Sequence, residues 1–160
     1  MRWPAVMLLL AACSREQPTP TQTPGSRLEA AAVTQGLVSD PNGGTPVGSW
    51  ANDSDRLCVA PAAQELRLGA SVDYGEGQGC VASGTAERRG DRLRVSFGAC
   101  RFEAAYDGDR ITFPAELPSA CERFCTGRAS LSALTVARLS ESASEAAALR
   151  TAGGRPLCGG

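Results

Sequence analysis

Arg92-Leu93-Arg94-Val95-Ser96-Phe97-Gly98-Ala99-Cys100-Arg101-Phe102-Glu103-Ala104-Ala105-Tyr106-Asp107-Gly108-Asp109-Arg110-Ile111-Thr112-Phe113 is the stretch whose reading decides the fold. Leu93, Val95 and Phe97 alternate with Arg92, Arg94 and Ser96. Cys100, Phe102, Ala104 and Tyr106 share a second apolar face, and Ile111 and Phe113 a third. Period two is the mark of half-buried strands. Asp107-Gly108 is a two-residue hairpin signal, because a type I′ turn needs positive φ. Such a turn sets Ala104 opposite Ile111 and Phe102 opposite Phe113, so the apolar sets meet on one face. The inward phase slips by one residue between Phe97 and Cys100, and a bulge at Gly98 keeps both inside.

The same alternation holds upstream, where Leu66, Leu68, Ala70 and Val72 interleave with Glu65, Arg67, Ser71 and Asp73. Asp55-Arg56-Leu57, Asp91-Arg92-Leu93 and Asp109-Arg110-Ile111 each open a strand; their unequal spacing marks recurring turn chemistry and not a repeat protein. Leu131 to Leu139 mixes both periods and reads as strand. Ser26-Arg27-Leu28-Glu29 and Ser142-Ala143-Ser144-Glu145 are capping boxes. They place helices over 27–35, stopped by Gly36, and from Ala143 to about Thr151, ended by Gly153-Gly154. Asp40-Pro41-Asn42-Gly43-Gly44 is a turn region. The fold class is therefore mainly β: a small antiparallel barrel or sandwich with a short helix at each end. It occupies 27–160 as a single domain, long enough to bury roughly two-thirds of its unfolded surface.

Residues 1–12 have the parts of an export signal. Arg2 supplies charge, Val6 to Ala12 is apolar or small, and Ala11-Ala12 suit a signal peptidase. The segment is far short of the about 20 apolar residues of a membrane-spanning helix. Ser14 to Ser26, with Pro18, Pro20 and Pro24 among Thr and Gln, is a tether with almost nothing to bury. Leu10-Ala11-Ala12-Cys13 resembles the lipobox of bacterial lipoprotein precursors at every position. The resemblance covers residues 1–14 and implies cleavage before Cys13, lipid on its sulfur and an acyl group on its new amine. Palmitate on Cys13 anchors such a protein to the membrane. Ser14 after the cysteine, where that family places Asp for retention, implies the outer membrane, facing the periplasm.

After Cys13 come Cys58, Cys80, Cys100, Cys121, Cys125 and Cys158. Six cysteines in an exported domain read as up to three disulfides, with fifteen possible pairings. The hairpin closed at Arg89-Gly90 favours a Cys80–Cys100 bridge, and an oxidised Cys158 would pin the helical tail to the β core. Cys121-x-x-x-Cys125 lacks the usual zinc or redox spacing, so the six are structural candidates.

Function is bounded mostly by what is missing. The 16 basic residues are all arginine, with neither Lys nor His. Serine or cysteine triads, a Schiff-base lysine and a P-loop lysine cannot be built from this chain alone. Without Arg2 the chain sets 15 arginines against 17 acids, a formal charge of −2. That balance gives no footprint for nucleic acid. Paired carboxylates for glycosidic hydrolysis have candidates in Asp73, Glu76, Glu103 and Glu116. Asp73-Tyr74-Gly75-Glu76-Gly77-Gln78-Gly79-Cys80 is the most unusual segment, a possible ligand loop through Asp73, Tyr74 and Glu76 without the order of an EF-hand. Arg89-Gly90-Asp91 is treated as a chance tripeptide. Gly48-Ser49-Trp50 resembles the G-x-W of lipocalin-like proteins. That resemblance implies a small barrel with Trp50 at its base and an apolar ligand, or an inhibitor-type barrel.

The mature domain also resembles a family of small bacterial envelope proteins, and the sequence thus describes a cell-envelope lipoprotein, held to the membrane at Cys13 and calling for no catalytic residue, metal or cofactor. It acts as a non-enzymatic binding or structural module with an envelope protein as partner. The alternatives are an inhibitor of a periplasmic hydrolase and a carboxylate-based cell-wall hydrolase.

Overall fold

In the computed structural model the chain is described over residues 23–34 and 44–158. Cys13, its lipobox and the turn residues 40–43 lie outside the described residues. Contacts divide the chain into two units, Met1–Leu37 and Val38–Gly160. The first contains helix α1 (Pro24–Thr34). It starts earlier than Ser26 implies. Pro24, whose fixed φ suits a first turn, leads it, and the Thr23 hydroxyl accepts the Ser26 amide at 3.2 Å.

The second unit is an eight-stranded antiparallel barrel closed by β1 (Gly48–Asn52), β2 (Asp55–Pro61), β3 (Leu66–Asp73), β4 (Gly79–Arg89), β5 (Arg92–Phe97), β6 (Cys100–Tyr106), β7 (Arg110–Thr112) and β8 (Thr135–Ser140). Each strand pairs with its sequence neighbours, and β8 returns to β1. Closure leaves no strand edge to manage. The period-two residues point inward: Leu68, Ala70, Val72, Leu93, Val95, Phe97, Ala104, Tyr106 and Ile111 are all buried. With Trp50 and Phe113 they pack the interior solid, so the apolar ligand implied by the G-x-W has no room there. Charged side chains such as Arg94, Arg101 and Glu103 face out, the inverse of the apolar outer band of a membrane barrel.

Four expectations about the strands and their bridges need correction. The first is the strand from Leu131 to Leu139: residues 131–134 form a turn, the Leu134 amide donating to the Leu131 carbonyl at 3.3 Å, and β8 begins only at Thr135. The Asp107 turn is not a two-residue hairpin, because Tyr106 faces Ile111 and Ala105 faces Thr112. The Asp107 carboxylate accepts the amides of Asp109 and Arg110 at 3.0 and 2.7 Å, which stabilises a four-residue loop. The register moves by two, so parity and the apolar face survive. Gly98 hosts no bulge. Phe97 faces Cys100, and Gly98 (φ 67°) with Ala99 forms the β5–β6 hairpin turn. The phase slip was a strand reversal. Cys100 therefore starts the next strand instead of lying beside Cys80, and the Cys80–Cys100 bridge is wrong. The bridges are Cys58–Cys158, Cys80–Cys125 and Cys100–Cys121, nested one inside the next.

The C-terminal segment covers the outside of β2 and β3. Helix α2 (Ala143–Ala148) has Ser142 as N-cap, its hydroxyl accepting the Glu145 amide at 3.3 Å. It is shorter than expected. Leu149 is extended, and its carbonyl accepts the Leu157 amide at 2.8 Å. Gly153-Gly154 therefore belongs to the tip of a returning turn and does not end the helix. Cys58 and Ala60, on the outer face of β2, are buried with Ala146, Leu157 and Cys158. Gly69 in β3 makes this possible, since a Cβ there would stand 2.3 Å from the Leu157 carbonyl oxygen.

Candidate functional site

Strand direction puts the β1–β2 turn, the β3–β4 loop, the β5–β6 turn and the long β7–β8 connection at one end of the barrel. The segment 44–47 and the β4–β5 and β6–β7 turns lie at the other. That second end is sealed around Trp50. Its indole donates to the Pro46 carbonyl at 3.1 Å, and the Arg138 guanidinium lies 4.2 Å from the ring centroid. Arg138 also donates to the carbonyls of Thr45, Val47 and Gly108 and to the Tyr106 hydroxyl. Burial raises the Tyr106 phenol above its usual range, opposed by the Arg138 and Arg88 charges. Arg88 lies over the Tyr106 ring and donates to the Gly44 carbonyl. Every polar group in this cluster has a protein partner, so it is a structural seal. Arg89-Gly90-Asp91 forms the adjoining hairpin tip, with Arg89 paired to Glu87 at 2.7 Å.

The first end carries the segment singled out by composition. Asp73 closes β3, and its carboxylate accepts the Gly75 amide at 2.8 Å. The Tyr74 amide donates to the Gln78 carbonyl, and the Gln78 amide to the Gly75 carbonyl, both at 2.9 Å. Gly75, Glu76 and Gly77 all have left-handed φ, near 76°, 51° and 74°. Glycine accepts that conformation freely, whereas a glutamate does not.

The loop is fixed by the β7–β8 connection. The Thr126 hydroxyl donates to the Gly77 carbonyl at 2.9 Å and accepts the Gly79 amide at 3.2 Å, while the Thr126 amide donates to the Gly79 carbonyl. The Gln78 amide oxygen accepts the Arg128 amide at 3.2 Å. The Cys80–Cys125 bridge locks the same seam, and Cys100–Cys121 ties the short 3₁₀ helix Ser119–Phe124 to β6. These glycines thus shape a clamped loop, and Tyr74 projects from it 58% exposed.

The sequence-derived candidates separate accordingly. Asp73, Tyr74 and Glu76 share the loop, and all three are exposed. Glu103 is on the outer face of β6 opposite Arg94, and Glu116 is on the β7–β8 connection, also exposed. Asp55, beside Asp53 and Asp73, has its carboxyl pushed up by burial and by those two charges. Thr126 and Gln78 were missed as clamp residues. Their contacts span nearly fifty positions, and adjacency of Thr126 to Cys125 was the one local hint. Among the described residues no group of three or more Cys, Asp or Glu is placed to hold a metal ion. Comparison with protein-family models, with curated proteins and with solved structures finds no match.

Proposed function

We propose that this chain is a lipid-anchored envelope protein whose stapled barrel works as a non-enzymatic binding module through its β3–β4 loop. The observation that carries the reading is a packed interior combined with a fixed loop that exposes an aromatic side chain. A filled barrel leaves its outer surface and loops as the means of recognition. A loop already held in place loses less entropy on binding, and tyrosine is enriched among residues that dominate interfaces. The lipobox and the proline-rich tether supply the anchor and the spacing. General-acid chemistry needs a carboxyl shielded from water, and the exposure of Asp73, Glu76, Glu103 and Glu116 favours binding over hydrolysis.

Inhibition of a periplasmic hydrolase is the second reading, favoured by the same clamp, because a preorganised projecting loop suits insertion into a cleft. Labelled palmitate should enter the wild-type protein and not Cys13→Ser; label in both removes the anchor. A photo-crosslinking residue at position 74 should give one discrete adduct in envelopes, and at exposed Leu139 none. Equal, diffuse adducts from both positions would reject the loop as the binding surface, and turnover of an adducted hydrolase would separate inhibitor from scaffold.

A further inference from the structure

A groove of about 410 Å³ runs along the outside of β3 and β4, where they meet the 3₁₀ helix and the turn Thr151–Arg155. Arg123 borders it from the helix and Arg155 from the turn; Phe124 and the Cys80–Cys125 bridge form an apolar wall. Arg89, Arg92, Arg94 and Arg138 have carboxylate partners, and Arg101 and Arg150 donate to carbonyls. Among the described residues neither Arg123 nor Arg155 has a carboxylate partner. The single carboxylate in the lining is Asp73, and it accepts the Gly75 amide. Arg123 stacks its guanidinium on the Phe124 ring, 5.1 Å from the centroid, which leaves its N–H donors unpaired among the described residues, so two arginines and one engaged acid line the groove and give it a surplus of positive charge.

Thr151 is an independent observation at the same place. The residue is 8% exposed, and its Oγ1 is buried with no hydrogen-bond partner. Its main chain is fully used, the amide donating to the Arg155 carbonyl at 2.9 Å and the carbonyl accepting the Gly154 amide at 2.8 Å. A buried hydroxyl left over in this way is destabilising and calls for an acceptor. Thr151 lines the groove and also the adjoining hollow of about 410 Å³, which Arg155 borders too. The turn that covers the hydroxyl is exposed Ala152-Gly153-Gly154, where two glycines ease the small shift that would open it.

We propose that this groove binds an oxyanion, the carboxylate or phosphate group of a small ligand, held by Arg123 and Arg155 and by a hydrogen bond donated from Thr151. A guanidinium presents a planar fork of donors that matches two oxygens of either group, and a charge-assisted bond of this kind is stronger than a neutral one. The apolar wall leaves space for the uncharged part of the ligand. The proposal rests on reading the protein as a binding module and names one class of ligand for it.

The test is an NMR titration of the complete oxidised chain with inorganic phosphate and, in a parallel series, with acetate, both at constant ionic strength. Saturable shifts are expected at the Arg123 and Arg155 Nε–H and the Thr151 amide. Arg123→Gln and Arg155→Gln should each weaken binding about tenfold or more. Both residues are exposed, so the variants should keep the wild-type spectrum elsewhere. Thr151→Val separates two roles, since it should weaken binding several-fold and raise Tm by removing the unpaired hydroxyl. Saturation by phosphate alone assigns a phosphate ester, by acetate alone a carboxylate, and either supports the site. Linear shifts, or unchanged affinity in the double variant, mean an adventitious ion only and overturn it. The crosslink from position 74 reads a different surface, so failure of the groove and failure of the loop are distinguishable.

Discussion

Removing the outermost bridge by the double substitution Cys58→Ala/Cys158→Ala should lower stability by about 4 kcal/mol. The figure follows from the nesting. Cys58 and Cys158 are 100 positions apart, which in an otherwise open chain corresponds to about 4.7 kcal/mol of lost loop entropy. The unfolded chain is not open, however, because Cys80–Cys125 already short-circuits its middle. The effective ring runs from Cys58 to Cys80 and from Cys125 to Cys158, about 55 residues, which gives about 4 kcal/mol. Against a typical domain stability of about 5–15 kcal/mol the variant should fold and be clearly weakened. Urea unfolding followed by fluorescence of buried Trp50 measures this directly. At a slope near 2 kcal/mol per molar the midpoint should fall by about 2 M. Hydrogen exchange should show the Leu157 amide, bonded to Leu149, losing protection before the barrel amides do. A loss below about 1 kcal/mol would refute the reasoning, because the tail would then lie outside the cooperative unit.

Gly69→Ala should cost about 2–3 kcal/mol by forcing a methyl against the Leu157 carbonyl, read as a lower Tm with the barrel spectrum retained. Arg138→Ala should cost about 3 kcal/mol, since it strips the Trp50 face and leaves several carbonyls at the sealed end without donors; Arg138→Lys should recover under half of that in the same unfolding assay. Asp55 has a raised pKa in the folded state, so the folded chain holds its proton more tightly than the unfolded one. Its stabilising contribution is present below the unfolded value near 4 and is lost as pH rises through the folded value. Asp55→Asn should therefore raise Tm relative to wild type at pH 7 and show no gain at pH 3. Thr126→Val should leave the barrel intact and increase amide exchange at Gly79, a change that equal protection in both proteins would contradict.

Much of the barrel was legible because a strand buried on one face writes its register as period two. Leu66 to Val72 and Leu93 to Phe97 needed no further information. Strand openings at Asp55, Arg92 and Arg110 were legible for a related reason, since turn acids precede each apolar run. What periodicity cannot tell is whether a phase slip is an extra residue or a reversal. Gly98 satisfies both readings, because each needs a left-handed residue there, and the wrong choice carried the disulfide assignment with it. The Asp107 loop failed differently. A two-residue and a four-residue turn preserve the same inward face, so the apolar pattern is blind to the difference, and the Asp107 side chain decides it. Cys158 announced that the tail is pinned to the β core, as its bridge to Cys58 does, but the strand face that the tail covers was not legible. Gly69 looked like a weak strand position until Leu157 lay against it.

The placement of the bridges bears on the binding role proposed above and on the surface it would use. Closed strands already fix one another through their ladders, so a cross-link within the sheet adds little. None of the three bridges joins two strands of the barrel to each other. Cys80–Cys125 and Cys100–Cys121 fasten the β7–β8 connection, and Cys58–Cys158 fastens the tail. Cross-links have gone to the parts that a ladder cannot hold, and those parts border both the clamped Tyr74 loop and the Arg123–Arg155 groove. A connection needed only to join β7 to β8 could be short or mobile, because loop length is inexpensive in free energy. Its fixation is best accounted for by a need to keep a surface in one shape. Reducing the protein should therefore cost binding before it costs the barrel, and spectra showing the strands intact while affinity is lost would be the signature.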